Sequence, residues 1–500
     1  MIRGKLLLTA ALMGLVTMAS ARSKPAPEPV SPQADTSKVV ITLDDALKIA
    51  LSENVAVKVA DKEIERSRYA KKGTYSSLFP QVSGSGSYQR TIKKQIMYMD
   101  SDSGDDEEGG GGFGMLSSLA PYFVRINELS AMQGMPLIIP GESGGGDSNS
   151  GFAVGRWNTY NAGVSVALPL VNAQLWESLR ISGQAVDLAV EKARSSRLDM
   201  VTQVKQAFYA VLLAKEAFKV YKEVYENAVE NFVQTERRYN AEKASELEYT
   251  RAKSVVAGAI PNVYNAESSV MLALWQLKAV MGVDLERNID VAGDLDDYST
   301  QMFRDIHDND APSLDYNTTL RQLEIQADQL ASTIRMYKAA YLPTLAASFN
   351  YSMIAMTNDF KFSEYKWSPY SFVGLSLNIP IFTGFKRHYD VQQAKVQAVE
   401  LDLQRVETER QLRIAIRQYL NTMETSMNSY NAAAEAVALA RKAYDIAAKS
   451  YKIGKGTITE MNDAQLTLTQ ASLQQSQAIY NFIVAKSNLE KTIGDDFIEE

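Results

Sequence analysis

The stretch PTLAASFNYSM, Pro343 to Met353, decides how the rest of the chain is read. Leu345, Ala347, Phe349, Tyr351 and Met353 are apolar or aromatic, and the residues between them, Thr344, Ala346, Ser348, Asn350 and Ser352, are small or polar. Strict alternation over this length is a β-strand with one apolar face. It stands in a chain otherwise dominated by long, proline-poor segments rich in Ala, Glu, Gln and Lys, which read as helix. A few strands kept inside a helical protein need a reason.

The strand has a twin. PQVSGSGSY from Pro80 to Tyr88 aligns without gaps on PTLAASFNY from Pro343 to Tyr351, and GVSVALP from Gly163 to Pro169 matches GLSLNIP from Gly374 to Pro380. YNAEKASELEYTRA from Tyr239 to Ala252 matches YKIGKGTITEMNDA from Tyr451 to Ala464, and the register holds from Leu277 and Gly282 to Leu489 and Gly494. Paired landmarks in the same order are an internal duplication. Each half reads helix, strand, strand, long helix, turn, helix. The first repeat spans 39–282, a connection spans 283–312, the second repeat spans 313–494, and a short tail, 495–500, follows.

The helices are long because nothing stops them. There is no proline between Pro169 and Pro261 or after Pro380, so helices from about Ala173 to Arg238 and about Lys386 to Lys452 can run uninterrupted. At 1.5 Å per residue each would be roughly 100 Å long. Ile416, Leu420, Met423, Met427, Tyr430, Ala434 and Val437, at alternating steps of four and three, supply a coiled-coil seam for such a helix. Pro261 is expected to interrupt the helix that follows the first turn and to kink it. The first repeat should open with one helix running from an N-cap at Thr42, with Asp44 and Asp45 in its first turn, to about Leu78.

Composition narrows the setting. Arg3 and Lys5, an apolar run from Leu6 to about Met18 and the site Ala19-Ser20-Ala21 read as a cleavable signal peptide, 1–21, followed by a proline-rich linker, 22–38. The sequence after it has no run of about 18 apolar residues that could span a bilayer as a helix. The exported chain is therefore periplasmic, secreted or inserted as β-structure. The absence of cysteine excludes disulfides, thiolate metal sites and a cysteine nucleophile, and a net charge of −7 argues against nucleic acid.

The strands answer the opening question if they meet lipid. Val164, Val166 and Leu168, then Leu345, Phe349 and Tyr351, then Val373, Leu375, Leu377 and Ile379 occupy one face, and serines and asparagines occupy the other. Apolar-out, polar-in strands of about ten residues are what a membrane barrel requires. Tyr88, Trp157, Tyr160, Phe360, Phe362, Tyr365, Trp367, Tyr370 and Phe372 crowd the strand ends, as in an interfacial girdle. Four strands cannot close a barrel, and an open edge in lipid leaves backbone groups unpaired, so the chain must oligomerise. A periplasmic helical scaffold or adaptor that does not span the outer membrane is the alternative reading.

Several segments suggest chemistry that their spacing does not support. Asp100, Asp102, Asp105, Asp106, Glu107 and Glu108 lack the calcium spacing of an EF-hand, and Gly109 to Gly112 lacks the lysine of a phosphate loop. This acidic, glycine-rich excursion, within 91–158, reads as a solvated outer loop. His307 and His388 form neither a metal pair nor a triad. No catalytic residue, cofactor or metal is expected.

TLDDALKIALSENVAVKVA, SSLFPQVSGSGSY, AAYLPTLAASFNY, SLNIPIFTGFKR and YKIGKGTITEMNDAQLTL together resemble the recurring segments of the TolC family of outer-membrane efflux proteins, in the family's order. The resemblance covers essentially the whole chain after the signal peptide. It implies a mainly α fold with a small membrane β-barrel: a homotrimer whose twelve-stranded barrel in the outer membrane continues into a periplasmic α-helical tunnel. The implied function is an exit duct of a tripartite efflux or type I secretion system in a Gram-negative bacterium, with a periplasmic adaptor and an inner-membrane transporter as partners. The family's constricting acidic positions match Glu460 and Asp463, so six carboxylates of a trimer would converge on the axis, favouring cations and repelling one another. The resemblance also makes the turns, with Ala244, Ser245, Gly454, Gly456 and Thr457, the adaptor-docking tips. Where some relatives carry a basic residue that ties the gate shut, this chain has Gly456, with only Lys452 and Lys455 nearby.

Overall fold

The computed structural model describes residues 39–97, 152–302, 313–361 and 364–494. The expected signal peptide and linker, the acidic run Asp100 to Glu108, His307, Phe362 and the tail 495–500 lie outside the described residues. In chain order the elements are β1 (Val39–Ile41), α1 (Leu43–Glu53), α2 (Val55–Ser76), β2 (Gln81–Arg90), β3 (Gln95–Met97), β4 (Phe152–Val154), β5 (Asn158–Val171), α3 (Ala173–Asn240) and α4 (Glu246–Met281). The second half contributes β6 (Ile289–Val291), a 3₁₀ turn (Leu295–Tyr298), α5 (Ser299–Met302), α6 (Thr318–Ala339), β7 (Thr344–Thr357), β8 (Ser368–Asn378), α7 (Lys386–Lys452) and α8 (Ile458–Ile493). The chain divides into two compact units.

One unit, Lys72–Arg180 with Thr333–Gln392, holds the sheet. Its strands run in the order β2-β5-β7-β8, every neighbouring pair antiparallel. The register sets Val82, Val166, Phe349 and Val373 level, Val164 opposite Tyr351, and Leu345 opposite Leu377. Residues directly opposite one another in an antiparallel pair share a face. The alternation seen in each strand therefore adds up to one apolar face, and Ser83, Ser165 and Asn350 line the other. Two details depart from the pattern. Ile379 lies just past the last paired residue of β8, Asn378, and Phe372, opposite Asn350, falls on the polar face.

The helical unit takes the remaining described residues. Its core joins Val204, Phe208 and Val211 of α3, Leu277 and Met281 of α4, and Ile479, Phe482 and Ile483 of α8. Burying a side chain of this kind contributes about 1.5–3 kcal/mol. Ile41 of β1 and Ile289 and Val291 of β6 enter the same core, because β1 and β6 pair in parallel. Neither strand is visible in the sequence, since three residues carry no period.

The single opening helix expected from Thr42 to Leu78 is two helices, broken at Asn54. Asn54 takes extended backbone (ψ 132°), accepts from the Ala56 amide at 2.6 Å and donates to the Val280 carbonyl at 2.6 Å. The second repeat repeats this device. Asn317 accepts from the Leu320 amide at 2.9 Å and donates to the Thr492 carbonyl at 2.7 Å. Val280 and Thr492 each precede by two the glycine that ends its helix in the left-handed region, Gly282 (φ 74°) and Gly494 (φ 80°). The asparagine lock is thus common to the two copies.

The seam of α7 is shifted from the expected one. Ile416 and Met423 are buried and Met427 and Tyr430 pack against the core, but the full burial beyond Met423 falls on the small residues Ser426, Ala433 and Ala440, while Leu420 is 42% exposed. Small side chains let a neighbouring helix approach closely there. Pro261 sits inside a continuous α4, so the expected interruption amounts to the backbone hydrogen bond that proline cannot donate.

Candidate functional site

The two turns at the ends of the long helices are built alike. At the first, the Lys243 amide donates to the Arg238 carbonyl (2.8 Å) and the Glu242 amide to the Tyr239 carbonyl (2.9 Å); at the second, Lys455 donates to Ser450 (2.9 Å) and Gly454 to Tyr451 (3.0 Å). Both are Schellman closures, which satisfy the last free carbonyls of a helix and need a left-handed residue. Gly454 takes that conformation at φ 77°, and its counterpart Glu242 takes it at φ 58° despite its side chain.

A capping box then starts the next helix in each copy. Ser245 accepts from the Glu248 amide (3.2 Å), and Thr457 accepts from the Glu460 amide (3.2 Å). In return Glu248 and Glu460 accept from the cap amides at 3.4 and 3.0 Å. Glu460, the first of the expected gate acids, therefore has a structural duty that its repeat partner Glu248 shares. The sequence signal, Ser/Thr-x-x-Glu ahead of a helix, was legible at both turns. Asp463 lies one turn further along α8, exposed, and its repeat counterpart is Arg251, a residue of opposite charge.

The two hairpins interlock. Tyr451 is 2% exposed, its hydroxyl 2.6 Å from that of buried Thr235 on α3. Arg238 donates to the Tyr451 carbonyl at 3.2 Å and lies over its ring at 5.3 Å. Ile458, Met461 and Ala252 complete the buried cluster, with Tyr444 against it. Burial raises the Tyr444 phenol above its ordinary pKa and keeps it neutral. Arg238 of the first repeat thus sits against the second turn. Sequence reading missed this contact because its partners lie 216 residues apart. Gly456 itself is crowded: a Cβ there would stand 3.0 Å from that of Ser450.

In the sheet unit, of the residues expected to face lipid, Val373 (78%), Leu375 (70%) and Leu377 (61%) are the most exposed, Val164, Phe349, Tyr351 and Ile379 are exposed, and Val166, Leu168 and Leu345 are half-buried. β2 and β8 are its two edges, of 10 and 11 residues. Among the described residues no group of His, Asp or Glu side chains forms a candidate metal site.

The model for outer membrane efflux proteins matches residues 142–283 and 313–495, more than half of the chain. The chain belongs to the outer membrane efflux protein family. Among its relatives is the outer membrane protein TolC of Escherichia coli (strain K12), 22% identical over 345 residues, which are 67% of this chain and 70% of that one. The fold is shared with the outer membrane channel CmeC of Campylobacter jejuni (TM-score 0.64, 17% identity, covering 90% of this chain and 85% of that one). It is shared equally with the open state of the Neisseria gonorrhoeae MtrE outer membrane channel (TM-score 0.62, 16% identity, covering 95% and 97%). As an outer membrane efflux protein, the chain is a transport component of the Gram-negative outer membrane, from a family of channels rather than of enzymes. The scaffold alternative fits less well, because a soluble scaffold has no use for an exposed apolar sheet face.

Proposed function

We propose that this efflux protein is the passive exit duct of a tripartite export system, a homotrimer whose twelve strands close a barrel in the outer membrane. The observation that carries this reading is the four-stranded sheet with an exposed apolar face and two unpaired edges of nearly equal length. In lipid such edges must be paired, and β8 of one copy against β2 of the next removes both. Val164, Val166, Leu168, Leu345, Phe349, Tyr351, Val373, Leu375 and Leu377 then contact outer-membrane lipid, and the helical unit extends into the periplasm. The trimer number and the partners, an adaptor and an inner-membrane transporter, come from the family resemblance.

In this reading the helix tips are the gate. Asp463 is the better constricting acid, because Glu460 is engaged in its capping box. The Tyr451, Thr235 and Arg238 contacts hold the two hairpins of one copy together, so opening must move the hairpins as a pair or break these bonds. Ala244, Ser245, Gly454, Gly456 and Thr457 form the surface offered to the adaptor. Because the chain has no cysteine, a pair introduced on β2 and β8 tests the closure directly. Val373→Cys combined in turn with single cysteines along β2, from Gln81 to Arg90, should give a covalent trimer ladder under oxidation at one register; cross-linking that never exceeds background at any of them in folded protein rules out this edge pairing.

A further inference from the structure

We propose that the hairpin end of the sheet carries a rim of cations that binds the phosphate groups of a phosphorylated glycolipid in the outer leaflet. At that end Arg90, Asn158 and Thr357 lie level. Arg90, Lys93, Lys94, Arg156, Lys361 and Lys366 gather around it, and none of the six makes an ion pair among the described residues. The Arg90 guanidinium lies 5.6 Å from the centre of the Phe360 ring and the Lys94 ammonium 4.9 Å from that of Trp157. Arg156 and Lys366 line one cavity of about 700 Å³. The acids beside them are Asp359 and Glu364, and Asp359 already accepts from the Thr357 hydroxyl at 2.6 Å.

The other end of the same sheet is the internal control. There Phe79, Leu342, Ile381, Phe382 and Phe385 are exposed, between 53% and 93%. Two cations there are already engaged: Lys386 pairs with Asp390 at 2.8 Å, and Arg387 donates to the Pro380 carbonyl at 3.0 Å and lies over Tyr341. Tilted strands of about ten residues match the hydrocarbon thickness, so both ends of the sheet sit at headgroup depth. A largely apolar end suits neutral headgroups. An end with six cations outside any close ion pair, two of them on aromatic faces, against the two acids Asp359 and Glu364, suits anionic ones, since each Lys or Arg near such a surface adds attraction. The sugar-borne phosphates of a glycolipid supply fixed, multivalent charge that a ring of basic side chains can bracket.

The inference rests on the outer-membrane reading, and its test separates the two. The purified oligomer in neutral detergent is titrated with fluorescent lipopolysaccharide, with its dephosphorylated form and with phosphatidylglycerol. The expected result is tight binding of lipopolysaccharide alone, weakened at least about 10-fold in a Lys94→Gln, Arg156→Gln, Lys361→Gln, Lys366→Gln variant and unchanged in Lys386→Gln. Unchanged heat resistance of the variant oligomer shows that it is folded. Equal binding by the variant, by dephosphorylated lipopolysaccharide or by phosphatidylglycerol overturns the proposal. So does binding seen only after the acids from Asp100 to Glu108 are neutralised, which would make this chain's own loop the occupant. Conductance in a phospholipid bilayer lacking lipopolysaccharide is independent of the rim, so a chain that conducts but ignores the glycolipid loses only this inference.

Discussion

The first turn, 239–248, and the second, 451–460, show what duplication preserves and what it releases. Both keep the Schellman closure and the capping box, which satisfy backbone groups that a helix end leaves unpaired. They differ in how the same backbone is filled: Glu242 against Gly454 at the left-handed position, Ala244 against the crowded Gly456, and Arg251 against Asp463. Backbone satisfaction is therefore common to the two copies, and the charge and bulk of the tip surface are where they diverge.

The strongest way to break this comparison is at the helix-ending glycines. A Cβ on Gly494 would overlap the Tyr316 carbonyl, whereas one on Gly282 would come to 3.0 Å of the Glu53 carbonyl, and both glycines are left-handed. Gly494→Ala should lower stability by about 3 kcal/mol or more and Gly282→Ala by about 2, read from denaturant midpoints. Equal, small effects would mean that the two junctions are not the matched locks described here. Asn317→Ala and Asn54→Ala should each cost about 2 kcal/mol, since each strands a carbonyl and a helix-start amide.

Smaller effects sharpen the turns themselves. Tyr451→Phe should cost about 1 kcal/mol by removing its hydrogen bond to the Thr235 hydroxyl, which keeps its own bond to the Asn231 carbonyl (2.8 Å), and a double-mutant cycle with Thr235→Val should show coupling above about 0.5 kcal/mol. Additive effects would dissolve the interlock. Thr457→Ala and Ser245→Ala should each cost about 1 kcal/mol. Smallest, Glu242→Gly should stabilise by up to about 1 kcal/mol, and Gly454→Ala should destabilise by a similar amount, because only the first turn holds a side chain in the left-handed region.

What was legible follows from how locally each feature is encoded. The alternation at Pro343 to Met353 marks its strand unaided, and missing prolines alone permit the 67-residue helix Lys386–Lys452. Asn54 sits in an apolar, helix-like run, so its break depends on the distant Val280 carbonyl. β1 and β6 are too short to have a period, and they form only because both edges find the core. At the site, the acids and turn residues were visible as types and spacings. That Glu460 serves its own cap is written in Thr457-x-x-Glu460; that Tyr451 meets Thr235 is a tertiary fact.

The central claim, a conducting duct constricted by Asp463, is tested most directly by single-channel recording in a planar bilayer. The comparison is wild type against Glu460→Gln, which keeps a capping box, and against Asp463→Asn. Wild type should conduct with cation preference, Glu460→Gln should change it little, and Asp463→Asn should lose selectivity or gain conductance. Folded oligomers that never insert or conduct would contradict the duct, and an Asp463→Asn channel identical to wild type would move the gate elsewhere.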